Sequence, residues 1–408
     1  MGRFRLRLPQ EECLCRMNKT FQYRLYPTKK QRSLLKKWLS LCCETYNAAV
    51  QERRDAYRVA GISLGYAQQC AELPDCKEVR PELAEVPSQV LQDVLKRVDL
   101  AFEGFFRRVK DGQRPGYPRF RSSSRYHSLT FKQYRNSFDV QGGKSGRGTL
   151  VLSKLGHLKM VMHRPLIGLP KTATVKRTPT GKWFVSIGVE YELEAESWPA
   201  CDAQVGIDVG LSTFAYLSNG EQIGNPRFFR REERALARAH RKLSRAQLGS
   251  PQRAKRRKVV ARVHERVRWR RENFIRQEVI SLIRRFGLIA VEALAVRNMI
   301  KNPNMAKSIA DAAWSSFIAQ LLSKAEEAGR AVVRVNPAYT SQTCSVCGYR
   351  QEMQLSVRVY ECPSCGLLID RDHNGSLNIL KEALKAVGRH GLVIPEAPRR
   401  GSCGESSL

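Results

Sequence analysis

The sequence predicts a multidomain α+β chain, in which a β domain carries a helical insertion and an α/β domain follows. Three observations predict this. A period-two aromatic segment stands alone ahead of a helical block, the period returns to two after a Pro, Gly and Ser-rich linker, and beyond about residue 200 short apolar strands alternate with helical patterns. At 408 residues the chain has room for two to four units with their own cores.

The elements follow in order. "FQYRLYP" (21–27) alternates large apolar with polar residues as a half-buried strand does, and Pro27 and Thr28 end it and start a helix. Leu34, Trp38, Leu41 and Cys42 then recur at spacings of three and four, and a second amphipathic helix runs from about Ser88 with Leu91, Val94, Leu95, Val98, Phe102 and Phe105 on one side. "DGQRPGYPRFRSSSRYHSLTF" (111–131) is the basic linker. In "TATVKRTPTGKWFVSIGVEYE" (172–192), Trp183, Val185, Ile187, Val189 and Tyr191 share one face beyond a Pro-Thr-Gly turn. The isolated first strand is expected to pair into this sheet, which makes the helices an insertion. "VGIDVG" is a short apolar strand expected to end in Asp208, and "FAYLSNGEQI" follows as a strand with an Asn-Gly turn. A long basic helical stretch comes next, then the strand "LIAVEAL" with Glu292, a helix "DAAWSSFIAQLLSKAEEAG" and the strand "AVVRVN". The tail "PEAPRRGSCGESSL" has no periodicity and is expected to be disordered.

Charge bounds the partners. The formal net charge is +33 and the pI near 10.1, an excess that calls for a polyanion, nucleic acid above all. No apolar run reaches the roughly eighteen residues of a spanning helix, and the basic start lacks a secretory core, so a soluble cytoplasmic protein without a membrane partner is expected. Residues 227–276 hold 19 Lys or Arg against 4 acids, with Phe228, Phe229, Trp269 and Phe274 interleaved. Such an imbalance exceeds what i,i+4 pairing neutralises, so phosphate contact is expected there. Cys13, Cys15, Cys42, Cys43, Cys70, Cys76, Cys201 and Cys403 read as reduced thiols, with Cys42 and Cys43 in a helix core.

Two sets of residues carry chemistry. Cys344, Cys347, Cys362 and Cys365 form C-x2-C, fourteen residues, then C-x2-C, inside the knuckles "CSVCG" and "CPSCG". Four thiolates suit one structural, tetrahedral Zn and leave no open position. Asp208, Glu292, Asp370 and Asp372 are the candidate acids. Each has an ordinary reading: turn residue for Asp208, satisfied strand acid for Glu292, cap of a helix beginning near Asn374 for Asp372. Together they suit a sharper one. An acid in an apolar strand needs a cation or hydrogen bonds, and three carboxylates from separate segments suit a phosphodiesterase using two Mg ions, or Mn.

The order of motifs resembles the TnpB family, insertion-sequence-encoded RNA-guided DNA endonucleases related to miniature type V CRISPR effectors. The resemblance runs from Met17 to about Leu384. "FQYRLYPTKKQ" with "ETYNAAV" resembles the N-terminal segment, and "VPSQVLQDVLKRVDLAFEGFFRRVKDG" with "GYPRFR" the helical recognition segment. "GIDVGLSTFAYLSNG", "IAVEALAVRNM" and "PAYTSQTCSVCG" through "CPSCG" to "DRDHNGSLNI" resemble the first, second and third nuclease motifs, the last reached through the zinc ribbon.

The resemblance implies a β-barrel-like wedge domain (leader and first strand 1–27, then 121–196) with a helical recognition insertion (28–120). It further implies an RuvC (RNase H-like) α/β nuclease domain (197–343 and 366–408) carrying an inserted four-cysteine zinc ribbon (344–365). It implies Asp208, Glu292 and Asp372 as catalytic acids, Asp372 over Asp370 because the motif's acid precedes an asparagine by two, here Asn374. It implies as partners a transposon-derived guide RNA and target double-stranded DNA, cleaved beside a short adjacent motif. The leader before Met17 has no counterpart and reads as an upstream start codon. Gly375 and Ser376, where small alanines are common, predict a looser helix start.

A compact CRISPR effector using a crRNA would share these motifs and differ by a neighbouring repeat array. A non-cleaving guided repressor would be expected to lack an acid, and a DNA-joining transposase would show strand transfer. The ribbon's place just ahead of Asp372 suggests that the zinc braces that acid, so that losing Cys362 or Cys365 disturbs cleavage as well as folding.

Overall fold

The computed structural model describes residues 16–142, 146–192, 201–354 and 357–390, in two compact units, 1–193 and 194–408. The unpatterned tail, the leader ahead of Arg16 and the thiols Cys13, Cys15 and Cys403 lie outside the described residues.

The first unit starts with strand β1 (Arg16–Tyr26) and helix α1 (Lys29–Ala60). A reciprocal capping box starts α1: the Gln31 amide donates to Thr28 Oγ1 at 3.3 Å and the Thr28 amide to Gln31 Oε1 at 3.0 Å. Short helices α2 (Tyr66–Ala71) and α3 (Leu73–Val79) and a 3-10 turn (Pro81–Glu85) lead to α4 (Ser88–Lys110). The remaining strands are β2 (Ser128–Lys132), β3 (Phe138–Gly142), β4 (Arg147–Leu152), β5 (Gly156–Val161), β6 (Leu169–Arg177) and β7 (Trp183–Glu192). They form one antiparallel sheet in the order β2-β6-β7-β1-β5-β4-β3. The first strand does pair into the later sheet, from Arg16 opposite Glu192 to Leu25 opposite Trp183, so the helices are an insertion between β1 and β2. Phe21, Tyr23 and Leu25 of β1, Trp183, Val185, Ile187 and Val189 of β7, Trp38 and Cys42 of α1, and Leu91, Val94 and Val98 of α4 share a single core. Cys43 is buried there too.

The second unit opens with β8 (Gln204–Val209), β9 (Thr213–Leu217) and β10 (Gln222–Gly224). The basic stretch, read as one helical region, is two helices, α5 (Phe228–Ser244) and α6 (Pro251–Arg285), parted at Gly249, whose φ of +79 lies between them, while Ser250 caps the second. Then come β11 (Leu288–Glu292), α7 (Val296–Met299), α8 (Pro303–Ala312), α9 (Trp314–Glu327) and β12 (Ala331–Val335). The helix expected from Asp311 is instead two, because Ala313 adopts the left-handed conformation at φ +56 and breaks it. β13 (Val359–Glu361) and β14 (Leu368–Asp370) form a hairpin, and α10 (Arg371–His390) follows at once. That helix starts at Arg371, not near Asn374.

The main sheet runs β10-β9-β8-β11-β12, with β8, β11 and β12 parallel. β11 is buried at all five positions, as a strand covered on both faces must be. Ile275, Val279 and Leu282 of α6 and Phe317 and Leu321 of α9 pack with Ile207, Phe214 and Ile289 in one cluster. Ile379 and Ala383 of α10 pack with Ala290 and Val335 in another. α10 rests directly on β8: a Cβ at Gly206 would lie 2.1 Å from the Ser376 carbonyl oxygen. Only a glycine permits that approach. Among the described residues no helix is long and apolar enough to cross a membrane.

Candidate functional site

The carboxyl ends of β8 and β11 meet the N-terminal turn of α10, and the candidate acids gather there. In the parallel pairing Ile207 stands opposite Val291, which sets Asp208 and Glu292 as the next residues along adjacent strands. A Cβ at Gly375, in the first turns of α10, would lie 2.8 Å from Asp208 Oδ2, and one at Gly210 would lie 3.8 Å from Asp372 Oδ2. The glycine at 375 makes room for the Asp208 carboxylate.

Asp370 and Asp372, alike in sequence, have different work. Asp370 Oδ1 accepts from the amides of Asp372 at 2.8 Å and His373 at 3.2 Å, so Asp370 is the cap and Asp372 lies inside the first turn. The capping reading of Asp372 is thus corrected. Its carboxylate, partly buried, meets Arg358 at 3.6 Å. Glu292 is buried, and its Oε1 accepts from the Thr340 hydroxyl at 2.5 Å.

All three acids hold their protons above the usual carboxylate range. For Asp208, crowded by protein on most sides, desolvation is the largest cause, and repulsion from Glu292 and then Asp372 adds to it. Burial also raises Glu292, against the Thr340 hydrogen bond, and raises Asp372, against Arg358 and Arg371. The three are brought to one place but not drawn into a knot: among the described residues, only the four cysteines form a group of three or more candidate ligands with all donor atoms within 4.8 Å. Carboxylates of like charge, only partly answered by Arg358 and Arg371, resist closer approach. The donor set, oxygen only and short of counter-charge, fits a hard divalent cation.

The cysteines fit zinc. Sγ atoms of Cys344 and Cys365, and of Cys347 and Cys362, lie 3.6 Å apart, close to the about 3.8 Å edge of a tetrahedron with zinc–sulfur bonds of about 2.3 Å. The Val346 amide points at Cys344 Sγ at 3.4 Å. Cys42, Cys43, Cys70, Cys76 and Cys201 are free thiols, as expected.

Ribbon and acids are built together. Asp370 ends β14, the strand that follows the second knuckle, and caps the helix that carries Asp372. Asn374, fully buried, accepts from the Ser345 amide at 2.9 Å and donates to the Thr343 carbonyl at 2.7 Å, tying α10 to the first knuckle. Arg371 donates to the Gln354 carbonyl at 2.9 Å and to Ser341 Oγ at 3.2 Å. The His373 ring stacks on Tyr216, centroids 5.1 Å apart, and Tyr216 is the cross-strand neighbour of Asp208. Sequence reasoning singled out neither Thr340 nor Arg358, Asn374 as a tie, nor His373. Thr340 stands in the quoted "PAYTSQTCSVCG" and a search for hydroxyls ahead of the knuckle would have met it, whereas Arg358 lies in a stretch with no pattern.

Along the basic helices part of the charge is paired internally. Glu232 accepts from Arg266 at 3.2 Å and Arg270 at 3.0 Å, and Asp311 from Arg271 at 2.9 Å. Phe228 and Phe274 meet edge to face at 6.1 Å, and Phe274 and Phe214 at 5.0 Å, so Phe274 packs against the core and Phe228 against Phe274. Lys255, Arg257, Lys258 and Arg262 are exposed on α6.

Comparison with known proteins places these features in company. Residues 186–303 match the family described as "Probable transposase" (OrfB of IS605), residues 314–379 the "Cas12f1-like, TNB domain", and residues 17–61 a "Helix-turn-helix domain" of the same OrfB group. The last segment folds here as one strand and one 32-residue helix. A Streptomyces pristinaespiralis protein named as an RNA-guided DNA endonuclease is 36% identical over 378 residues, covering 91% of this chain and 90% of its own. The Escherichia coli K12 protein InsQ, named likewise, is 27% identical over 88% of this chain and 91% of its own. A Cas12f1 chain solved in complex with sgRNA and target DNA has the same fold, with a TM-score of 0.56 at 14% identity over 89% of this chain and 98% of that one.

Proposed function

The chain belongs to the TnpB-like family of RNA-guided DNA endonucleases, and from that premise we propose that Asp208, Glu292 and Asp372 are the acids with which it hydrolyses target DNA. The observation that carries the reading is the convergence of three carboxylates, from two adjacent strand ends and a helix start, each denied enough counter-charge. Two divalent cations, Mg or Mn, would supply Lewis acidity to the attacking water and to the leaving 3'-oxygen. Asp208, Glu292 and Asp372 would hold these ions, with Asp208 shared between them and Glu292 and Asp372 each completing one site. The products are a 5'-phosphate and a 3'-hydroxyl.

The chain's own residues do the rest. Asp370 keeps the first turn of α10 closed, so Asp372 is presented from a rigid helix rather than a loop. Arg358 is exposed and only loosely paired, so it can exchange Asp372 for a DNA phosphate. The second unit is the RuvC, RNase H-like nuclease, and its ribbon holds the structural zinc. The sheet of the first unit is the barrel-like wedge and its helical insertion the recognition lobe for guide RNA and duplex.

The test is direct. RNA copurifying with the protein from its host is sequenced, and the complex is given Mg and plasmid targets. RNA from the gene's own 3' flank supports the reading, and repeat-spacer RNA would move the chain to the CRISPR class. Asp208→Ala is expected to abolish cleavage, by about 10³-fold or more, with guided binding retained. Cutting at the wild-type rate by that variant would remove Asp208 from its role, and joined products would favour a transposase.

A further inference from the structure

Thr340 occupies a junction that the reaction as described does not use. It is buried, it follows Tyr339, which holds the left-handed conformation at φ +66, and it lies between β12 and the first knuckle. A bulky residue held in that conformation marks a segment fixed by its surroundings. Its hydroxyl donates to Glu292 Oε1 at 2.5 Å, and Glu292 Oε2 accepts from no described group. Its carbonyl accepts from Asn378 Nδ2 at 2.9 Å, and the same nitrogen lies 2.6 Å from the Thr343 carbonyl. Thr343 also accepts from Asn374, whose Oδ1 takes the Ser345 amide beside Cys344. Residues 340–345 are therefore a short strap, sewn to α10 by two asparagines, with Glu292 at one end and a zinc ligand at the other.

We propose that Thr340 is a positioning residue: it fixes the Glu292 carboxylate with Oε1 occupied and Oε2 presented, and the strap passes the position of the zinc knuckle to that carboxylate. Carboxylates that bind cations are themselves oriented by hydrogen bonds, and losing such a partner costs typically 10–100-fold in cation affinity or activity. Without the hydroxyl Glu292 can turn about its side-chain bonds, and the fit of the cation site is lost while the fold stays. The same hydroxyl gives the zinc an effect at a distance, since a slack knuckle releases Asn374 and the strap together. This inference rests on the nuclease reading above.

The experiment compares wild type, Thr340→Val, Thr340→Ser, Asp208→Asn and Cys362→Ser in two readouts. One is the Mn concentration that half-saturates the rise in melting temperature of the RNA-bound protein without DNA; the other is target cleavage against Mg concentration. Thr340→Val is expected to need 10–100-fold more cation in both, as for other partners of cation-binding carboxylates, with guided DNA binding unchanged. Thr340→Ser, which keeps the hydroxyl, is expected to stay within about threefold of wild type, a small part of that range. Cys362→Ser is expected to shift the cation requirement in the same direction and to add less than its full effect on top of Thr340→Val. If Thr340→Val fails to fold, seen as lost guided binding, Thr340→Ala takes its place with the same expectation. Wild-type cation dependence in Thr340→Val, or equal impairment of the valine and serine variants, overturns the inference. Wild type that neither cuts nor responds to Mn brings down the nuclease reading and this inference with it, whereas cutting by wild type with none by Asp208→Asn separates the two.

Discussion

Asp208 stores an unfavourable charge, and the sign of its effect can be worked out. Burial and the neighbouring Glu292 and Asp372 raise its pKa, so the folded protein keeps this proton to higher pH than the unfolded chain does. In cation-free protein the site is most favourable to folding below the ordinary carboxylate range, and stability falls as pH rises through the raised value. Asp208→Asn removes the charge and most of that slope. In EDTA at pH 8 the variant is expected to melt about 2–4 °C above wild type, near 1 kcal/mol for a unit of this size, with the gap closing toward pH 4. Calorimetry across pH checks it, and a variant that melts below wild type at pH 8 would show that Asp208 is already compensated. Asp208 and Glu292 were legible in the sequence because an acid in an apolar strand is chemically out of place. Thr340 was not, because a hydroxyl in a loop is ordinary and its importance comes only from which carboxylate the folded loop meets.

At the scale of the element, α10 gives different surroundings to two acids that sequence alone could rank only by resemblance: Asp370 caps the helix and Asp372 lies in its first turn. Asp370 accepts two amides at the helix start, and an asparagine oxygen can do the same, so Asp370→Asn is expected to keep most cleavage and cost no more than about 0.5 kcal/mol. Asp372→Asn is expected to lose cleavage by about 10³-fold with little change in stability. Parallel cleavage and melting measurements check the pair; the reverse order of activities would exchange their roles. Strands were the most readable elements, since "FQYRLYP" and "WFVSIGVEY" show strict alternation. The break at Ala313 was not readable. No Gly or Pro marks it, and the packing of Ile309, Ala312, Trp314 and Phe317 into one core forces the turn on a residue that favours helix. The start of α10 was misplaced for a related reason: Asp370 belongs to strand and helix at once, and no local pattern announces a cap that is also the last residue of a hairpin.

Over the whole molecule, the +33 charge is the largest single property, and only a part of it is answered within the fold. Exposed cations on α6 that meet phosphate should each contribute about 0.9 to the slope of log affinity against log salt on duplex, or about 0.7 on single strands. Arg257→Ala combined with Lys258→Ala is expected to weaken nucleic-acid binding without regard to sequence and to flatten that slope by about 1.4 to 1.8. Filter binding over a salt series measures it, and an unchanged slope would leave α6 as a solvated face. The position of β1 raises a different matter, one of time. It lies in the middle of its sheet, yet its main partner β7 is about 150 residues further along the chain, which at about 5–20 residues per second takes roughly ten to thirty seconds to synthesise. Until β5 has emerged the nascent chain carries Phe21, Tyr23 and Leu25 on a strand with two open edges, and until β7 follows the longer of the two stays open, so a product stalled before Trp183 exposes the kind of surface on which chains aggregate.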